Sequence, residues 1–258
     1  MDLGLSGRIA LVTAASRGIG RAVCEQLDAE GATVVASSRD SKDLRSLAAE
    51  HSGITALSAD LSDHAQTGSL VERTIADNGH LDILIVNTPG PKIQPLLQTT
   101  PEDWAGAYDL LMRPAVQLAL PAARHMVERG SGTIIFLTST WVRQPALGGA
   151  LSSSMRSAVS SFAKQLAQET APSGVRVNQV MPGATGTQRM IDIADRKAQA
   201  NGTTREVEID KVIADIPMGR WAEASEIASA VAFACSDRAG FMTGAVLSLD
   251  GGAVRSTL

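Results

Sequence analysis

The chain has few of the residues that form disulfide frameworks or ligate zinc. Its 258 residues include only two cysteines, Cys24 and Cys235, and such sites need more ligands at closer spacing. Both cysteines lie in apolar helical patterns, so we expect buried free thiols and no metal site. Aromatic residues make up only 3% of the chain, and small aliphatic residues dominate the apolar positions.

Long hydrophobic runs and an excess of basic charge are also missing. No stretch reaches the roughly 18 uncharged apolar residues that a membrane-spanning helix needs, so no membrane association is expected. Residues Met1–Leu5 lack a basic segment and a long apolar run, which predicts no signal peptide and a cytoplasmic protein. The formal net charge of -4 argues against nucleic acid or an anionic membrane as the main partner.

What the chain does contain is a regular alternation of short apolar runs with longer helical patterns. Near-continuous apolar strands that alternate with helices are typical of a parallel sheet covered on both faces. The sequence therefore predicts a single α/β domain with a doubly wound, Rossmann-type sheet. The predicted strands are 8–13, 33–37, 54–59, 83–86, 133–137, 175–180 and 246–249, and the predicted helices include 18–30, 41–51, 101–129 and 151–171.

One segment, about residues 185–217, interrupts this alternation between two sheet elements. It has charged helical patterning, and ligands of doubly wound folds bind outside the carboxyl ends of the strands, where such an insertion lies. We interpret it as a substrate lid; a surface excursion without a function is the alternative.

The first strand runs through a glycine-containing turn directly into a helix. A phosphate requires this arrangement, because small residues let the backbone approach and the free N–H groups of the helix attract an anion. The turn predicts a dinucleotide site made by Thr13, Ser16, Arg17, Gly18, Ile19 and Gly20.

Residues 13–20 resemble the T-G-x-x-x-G-x-G turn of the short-chain dehydrogenase/reductase family, with Ala14 in place of the first glycine. The similarity extends over almost the whole chain, including the Leu249–Gly252 ending. It implies that Asp60 and Leu61 face an adenine ring, and that Asn87 belongs to a degraded form of the family's Asn-Asn-Ala-Gly segment. It also implies that further residues contact the nicotinamide side, namely Pro182, Gly183 and Thr187.

The end of the second strand distinguishes NADP(H) from NAD(H). A ribose with free hydroxyls calls for an acidic residue there, whereas a 2′-phosphate calls for cations and hydroxyls. The chain has Ser38, where NAD-preferring members of the family carry Asp, followed by Arg39, and Arg17 can reach the same phosphate. We therefore predict NADP(H), although Asp40 is one step beyond and Arg39 could simply be solvated.

The residues at the catalytic positions of the family differ from the family pattern in this chain. Members of the family reduce carbonyls with a Tyr general acid, a Lys four residues later, a Ser that polarises the carbonyl and an Asn that orders a water. By resemblance Ser139 is the Ser, whereas Ser152 and Arg156 fall at the Tyr and Lys positions and Leu111 at the Asn position. We expect Ser139, Ser152 and Arg156 to form a non-standard catalytic site.

Two functions remain open. The first is an NADPH-dependent oxidoreductase with a non-standard proton donor, acting on a small carbonyl or imine substrate. The second is an NADP(H)-binding protein without ordinary redox turnover, with a regulatory, scaffold, isomerase or cyclase role. The resemblance also implies a homo-oligomer, a dimer or a tetramer.

Overall fold

The computed structural model describes residues 2–39 and 42–257. Within them seven strands form one parallel sheet in the order β3-β2-β1-β4-β5-β6-β7, which confirms the predicted doubly wound fold. Because β1 lies between β2 and β4, the chain reverses direction across the sheet there, and ligands of such folds bind beside that point. The strands are β1 Ile9–Thr13, β2 Thr33–Ser38, β3 Ile54–Ser58, β4 Ile83–Val86, β5 Gly132–Leu137, β6 Val175–Pro182 and β7 Val246–Leu249.

Helices cover both faces of the sheet and bury two separate apolar clusters. One cluster packs α1, α2 and α9 against the sheet through residues such as Val23, Leu47 and Val231. The other packs α3, α5 and α6 through residues such as Leu70 and Leu118. The helices are α1 Gly18–Ala29, α2 Lys42–Glu50, α3 His64–Asn78, α4 Pro101–Ala107, α5 Arg113–Arg129, α6 Ala150–Thr170, α7 Gln188–Asn201, α8 Arg205–Ala214 and α9 Ala224–Cys235.

The helix predicted over 101–129 spans the predicted range but is not α-helical throughout. A π-helical turn at Tyr108–Met112 separates α4 from α5, and the Arg113 N–H donates to the Tyr108 carbonyl, five residues back. Pro114 lies at the start of α5, and a proline has no N–H and crowds the carbonyl four residues earlier, which disfavours uninterrupted α-helix. The extra residue changes which side chains of this helix face the sheet.

Both cysteines are buried and free, as predicted. Burial raises the pKa of Cys24, and it raises the pKa of Cys235 to about 12, so both stay as thiols at neutral pH. Across residues 2–39 and 42–257, no helix has the length and apolar character to span a membrane. The same residues contain no group of three His, Cys, Asp or Glu side chains arranged to hold a metal ion.

Candidate active site

The candidate site lies along the carboxyl ends of the strands. Thr13 ends β1 and Asn87 follows β4, and they join these two neighbouring strands: the Thr13 hydroxyl donates to the Asn87 carbonyl at 2.7 Å. The Asn87 amide nitrogen Nδ2 donates in turn to the Ala14 carbonyl at 3.2 Å. Thr13 is fully buried, so its side chain fixes the turn and does not contact solvent.

The glycine turn leaves the start of α1 open. Arg17 precedes the helix, no side chain caps its first N–H groups, and no acidic residue lies in its first turn. Gly18 has a positive φ of 59°. A methyl group on Gly20 would collide with the Ala14 carbonyl oxygen. Unoccupied N–H groups at the positive end of a helix are the donors that a phosphate needs.

Ala14, which stands where the resembling family has glycine, is held at a positive φ of 48°. This left-handed conformation costs a residue with a Cβ roughly 1–2 kcal/mol, whereas glycine costs about 0.4–1 kcal/mol more unfolded-state entropy than alanine. We expect Ala14→Gly to raise the free energy of unfolding by about 0.5–1 kcal/mol, measured by urea denaturation without cofactor. The control is Ala15→Gly, a buried neighbour outside the positive-φ region, which should lower it. Equal losses in the two variants would contradict backbone strain at Ala14.

The next part of the site lies at the ends of β2 and β3. Arg39 is exposed and Ser38 is half-buried, with its hydroxyl donating to the Arg39 carbonyl at 3.1 Å. Asp60 accepts from the Ser62 N–H at 2.9 Å and from the Ser62 hydroxyl at 2.8 Å. These bonds lower the pKa of Asp60, and the Arg39 charge lowers it further. Leu61 is buried, and Asp40 lies outside the described residues.

Arg156 joins Ser152 to the end of β5, two residues before Ser139. Ser152 and Arg156 are one turn apart on α6, both less than 10% exposed, and Arg156 Nε donates to Ser152 Oγ at 3.3 Å. Arg156 Nη1 donates to the Leu137 carbonyl at 2.9 Å, two residues before Ser139. Ser139 Oγ accepts from the Trp141 N–H at 3.2 Å, and its own hydroxyl proton makes no hydrogen bond with the described residues. The arrangement offers one available hydroxyl donor beside a buried cation.

Leu111 faces this cation. The π-helical turn places Leu111, only 1% exposed, on a cavity of about 10 Å³ that Thr88 and Arg156 also line. Such a volume is close to the minimum for one water. Burial is the main cause that lowers the pKa of Arg156, to about 10, and the Arg189 guanidinium lowers it further. Arg156 therefore remains a cation at neutral pH.

The nicotinamide-side residues of the prediction lie at the end of β6, where Pro182 is the last residue, and directly after it. Gly183 N–H donates to the Leu249 carbonyl at 2.9 Å, which ties the end of β6 to β7. Thr187 precedes α7, whose first N–H groups have no side-chain cap. A Cβ on Gly18 would lie 3.4 Å from Thr187 Cγ2, so the uncapped starts of α1 and α7 meet across the cleft.

The segment that interrupts the alternation of strands and helices leaves the sheet and returns to it, and its two ends are hydrogen-bonded to each other. Thr185 pairs with Ala222 in an isolated bridge, the Gly186 N–H donates to the Ala222 carbonyl at 2.8 Å, and the Ala222 N–H donates to the Ala184 carbonyl at 2.9 Å. Between these ends the chain forms α7 and α8. The paired ends fix where α7 starts, beside the end of β6.

Sequence reasoning missed Arg189, the second residue of α7. Its Nη1 donates to the Gly90 carbonyl at 3.2 Å and its Nη2 to the Pro91 carbonyl at 3.1 Å, so it joins α7 to the loop after β4. The available signal was its place two residues after Thr187. Two further basic residues of the loops after β4 and β5 have other partners: Lys92 pairs with Asp103 at 3.7 Å, and Arg143 Nη1 donates to Ser248 Oγ at 3.2 Å.

Comparisons with known proteins agree with this architecture. A family profile described as enoyl-(acyl carrier protein) reductase matches residues 13–254. The chain is 34% identical to the L-xylulose reductase of Mesocricetus auratus over 253 residues, covering 98% of each chain. It is 34% identical to the D-erythrulose reductase of Gallus gallus over 253 residues, 97% of each chain. The L-sorbose reductase of Gluconobacter frateurii, solved with NADPH and L-sorbose, superposes with a TM-score of 0.92 at 30% identity, covering 99% of this chain and 100% of that one. The chain belongs to the short-chain dehydrogenase/reductase family.

Proposed function

We propose that the protein is an NADPH-dependent reductase of a small carbonyl or imine compound, with a non-standard proton-transfer site. The observation that carries the proposal is the hydrogen bonding of the buried Arg156 to Ser152 and to the end of β5, two residues before Ser139, in a fold whose glycine turn leaves the start of α1 uncapped. Relatives that cover nearly the whole chain are named as reductases of small sugars, and one was solved with NADPH.

The residues present fit a dinucleotide phosphate. The uncapped start of α1 and the glycine turn would hold the pyrophosphate, with Arg17 at the rim. Ser38 and Arg39 would hold the 2′-phosphate and Asp60 would face the adenine. Thr187, Pro182 and Gly183 would line the nicotinamide side, and Arg156 would lie nearest its ribose. When bound, NADPH would supply a hydride to the carbon that is reduced.

Ser139 would act on the reacting carbonyl directly. Its hydroxyl proton is available, so it donates a hydrogen bond to the carbonyl oxygen, on which negative charge develops in the transition state. Ser152 and Arg156 stand where ordinary members have Tyr and Lys. An aliphatic hydroxyl is a far weaker acid than a phenol with a pKa of about 10, and a guanidinium does not pass protons on. The proton therefore comes from water in the cleft.

The segment between Thr185 and Ala222 would serve as the lid of this cleft. Its first helix, α7, starts at the nicotinamide side, and Arg189 fastens that start to the loop after β4. A lid fastened there would exclude bulk water from the reacting carbon.

A homo-oligomer is also part of the proposal. The edge strand β7 pairs with β6 on one side, and all four of its residues are partly exposed. An exposed edge strand is commonly covered by another chain or element.

The test begins with NADPH. A fluorescence titration measures its affinity, and its oxidation is then followed with a panel of ketoses, diketones and imines. Turnover of any of these supports the proposal. Tight binding without turnover on the whole panel would favour the second function, a cofactor-binding protein that lacks redox turnover. That function is an alternative because the proposed site has no phenol and takes its proton from water.

Ser139→Ala separates catalysis from binding. We expect kcat to fall by about 10²–10³-fold, the usual loss on removal of one oxyanion donor, while NADPH affinity changes by less than about 3-fold. Ser154→Ala is the matched control, because Ser154 is exposed on α6, and it should change neither. A parallel loss of affinity and kcat in Ser139→Ala would mean that Ser139 only shapes the cofactor site.

A further inference from the structure

The loops that follow β4 and β5 are joined to each other just before α6 begins. The Gln94 N–H, in the loop after β4, donates to the Gly148 carbonyl, in the loop after β5, at 3.1 Å. A Cβ on Gly148 would lie 3.2 Å from Ile93 Cγ2, so the Ile93 side chain packs on the same glycine. Both loops lie at the carboxyl edge of the sheet, where the ligands of doubly wound folds bind.

Trp141 lies between Ser139 and the start of α6. Its N–H donates to Ser139 Oγ at 3.2 Å. A Cβ on Gly149 would lie only 2.7 Å from Cε3 of the indole, so the ring packs directly on the residue that precedes α6. The side chain is partly exposed. Trp141 is therefore fixed at one end by the serine that the proposed site uses, and at the other by the helix that carries Ser152.

Every polar side chain in segments 92–94 and 140–149 of these loops is bonded to another part of the chain. Those of the first segment bind the Asp103 carboxylate on α4, and those of the second bind β6, β7 or the C-terminal tail. The bonds are Lys92–Asp103 (3.7 Å), Gln94–Asp103 (2.6 Å), Thr140–Pro182 (3.4 Å), Arg143–Ser248 (3.2 Å) and Gln144–Arg255 (3.1 Å).

The largest side chains that remain in these segments form an apolar patch, defined here as Ile93, Trp141 and Leu147. Leu147 is fully exposed, and it directly precedes the two glycines on which Ile93 and Trp141 pack. A hydroxyl group moved from water onto such a surface loses its hydrogen bonds and finds no partner. An apolar group gains from the same transfer. The patch therefore favours a hydrophobic reactant over a ketose, which has a hydroxyl on every other carbon.

We propose that the substrate is a hydrophobic ketone, whose apolar group packs on Ile93, Trp141 and Leu147 while its carbonyl oxygen accepts from Ser139. This assignment rests on the proposed reductase function and names its substrate class. The ketone takes one hydride from NADPH at the carbonyl carbon and one proton from water at the oxygen. The products are the secondary alcohol, NADP⁺ and hydroxide.

The first test compares ketones that differ in apolar area. The ratio kcat/KM is measured with NADPH for 2-butanone, 2-hexanone, acetophenone and fructose. We expect it to rise by about 3–4-fold for each methylene buried on the patch, and to be at least about 10-fold higher for acetophenone than for fructose. A higher value for fructose than for acetophenone would overturn the substrate class and leave the reductase function standing.

Variants of Trp141 test its contact with the substrate. Trp141→Ala should lower kcat/KM for acetophenone at least about 10-fold, mainly through KM, and should change NADPH affinity by less than about 3-fold. Trp141→Phe keeps a ring and should retain most of the activity, which guards against a variant that does not fold. Gly149→Ala should resemble Trp141→Ala, because its Cβ displaces the indole. Phe241→Ala is the control: this fully exposed ring precedes β7, toward the amino ends of the strands, and its loss should change nothing. Unchanged kinetics in Trp141→Ala would overturn the assignment.

A binding measurement separates the apolar patch from the reductase function. Benzamide, a neutral amide that has the shape of acetophenone but is not reduced, is titrated by calorimetry into the protein loaded with NADPH. We expect benzamide to bind, xylitol not to bind, and Trp141→Ala to weaken benzamide at least about 10-fold. The absence of benzamide binding would overturn the patch as a substrate site. Benzamide binding that depends on Trp141, without turnover of any ketone, would support the patch and overturn the reductase function.

Discussion

The double variant Ser152→Tyr, Arg156→Lys is expected to reduce a neutral diketone with NADPH at least about 100-fold faster than the native chain. Ser152 and Arg156 lie one turn apart on α6 and are joined by a hydrogen bond, and Arg156 also contacts the Leu137 carbonyl, so the two replacements place a phenol and an amine at one site. A positioned general acid contributes about 10²–10⁴-fold to a proton transfer, and in the proposed site Ser152 and Arg156 supply no such acid. A neutral diketone is the right substrate because its binding requires no charged side chain, so the two replacements change only the proton donor.

Two comparisons show whether the gain comes from restored proton transfer. Ser154→Tyr adds the same phenol to the exposed face of α6 and should give no gain. Adding Leu111→Asn to the double variant replaces an apolar wall of the small cavity beside residue 156 with a group that can hold a water, and should raise the rate again. If the double variant binds NADPH as the native chain does but gains nothing, then Ser152 and Arg156 do not occupy the proton-donor positions.

Features of the fold that are determined by neighbouring residues could be predicted from the sequence, in some cases with the correct first and last residue. The strand 83–86 has the predicted bounds because its apolar residues are buried on both faces. At the start of α3, Asp63 is the cap and accepts from the Ala65 and Gln66 N–H groups. Both signals are local: a run of β-branched and aliphatic residues, and an acidic side chain directly before a helix.

Features that depend on one residue of register, or on distant parts of the chain, were not predictable. The π-helical turn at Tyr108–Met112 lies inside a continuous run of helical residues, so the pattern alone indicated a single helix. Arg189 could not be distinguished by sequence from the other charged residues of α7. Its contacts with Gly90 and Pro91 depend on the pairing of Thr185 with Ala222, which fixes the start of α7. The family resemblance therefore led to Ser139, Ser152 and Arg156 as candidates, whereas nothing in the sequence pattern pointed to Arg189.

Arg39→Asp is expected to change the cofactor preference from NADPH toward NADH by about 100-fold in the ratio of dissociation constants. Arg39 is exposed at the end of β2, beside the half-buried Ser38. Its charge contributes to the lowered pKa of Asp60, which lies just after β3. Replacing Arg39 with a carboxylate removes a charge-assisted bond to the 2′-phosphate, worth about 1.5–3 kcal/mol. The new carboxylate and Asp60 would then both repel that phosphate. The same carboxylate can accept from both hydroxyls of the NADH ribose, so affinity for NADH should rise while affinity for NADPH falls.

The readout is fluorescence titration of both cofactors at two salt concentrations. Arg73→Asp, the same charge change at an exposed position on α3, should leave the ratio near its native value, which separates a local contact from the net charge. Native preference for NADPH should weaken as salt rises, because screening acts on an exposed cation, and Arg39→Asp should lose that dependence. Ser38→Asp should move the preference in the same direction, since it puts a carboxylate where NAD-preferring members of the family carry one. An unchanged ratio in both variants would place the 2′-phosphate elsewhere, with Arg17 as the remaining cation at the rim of the turn.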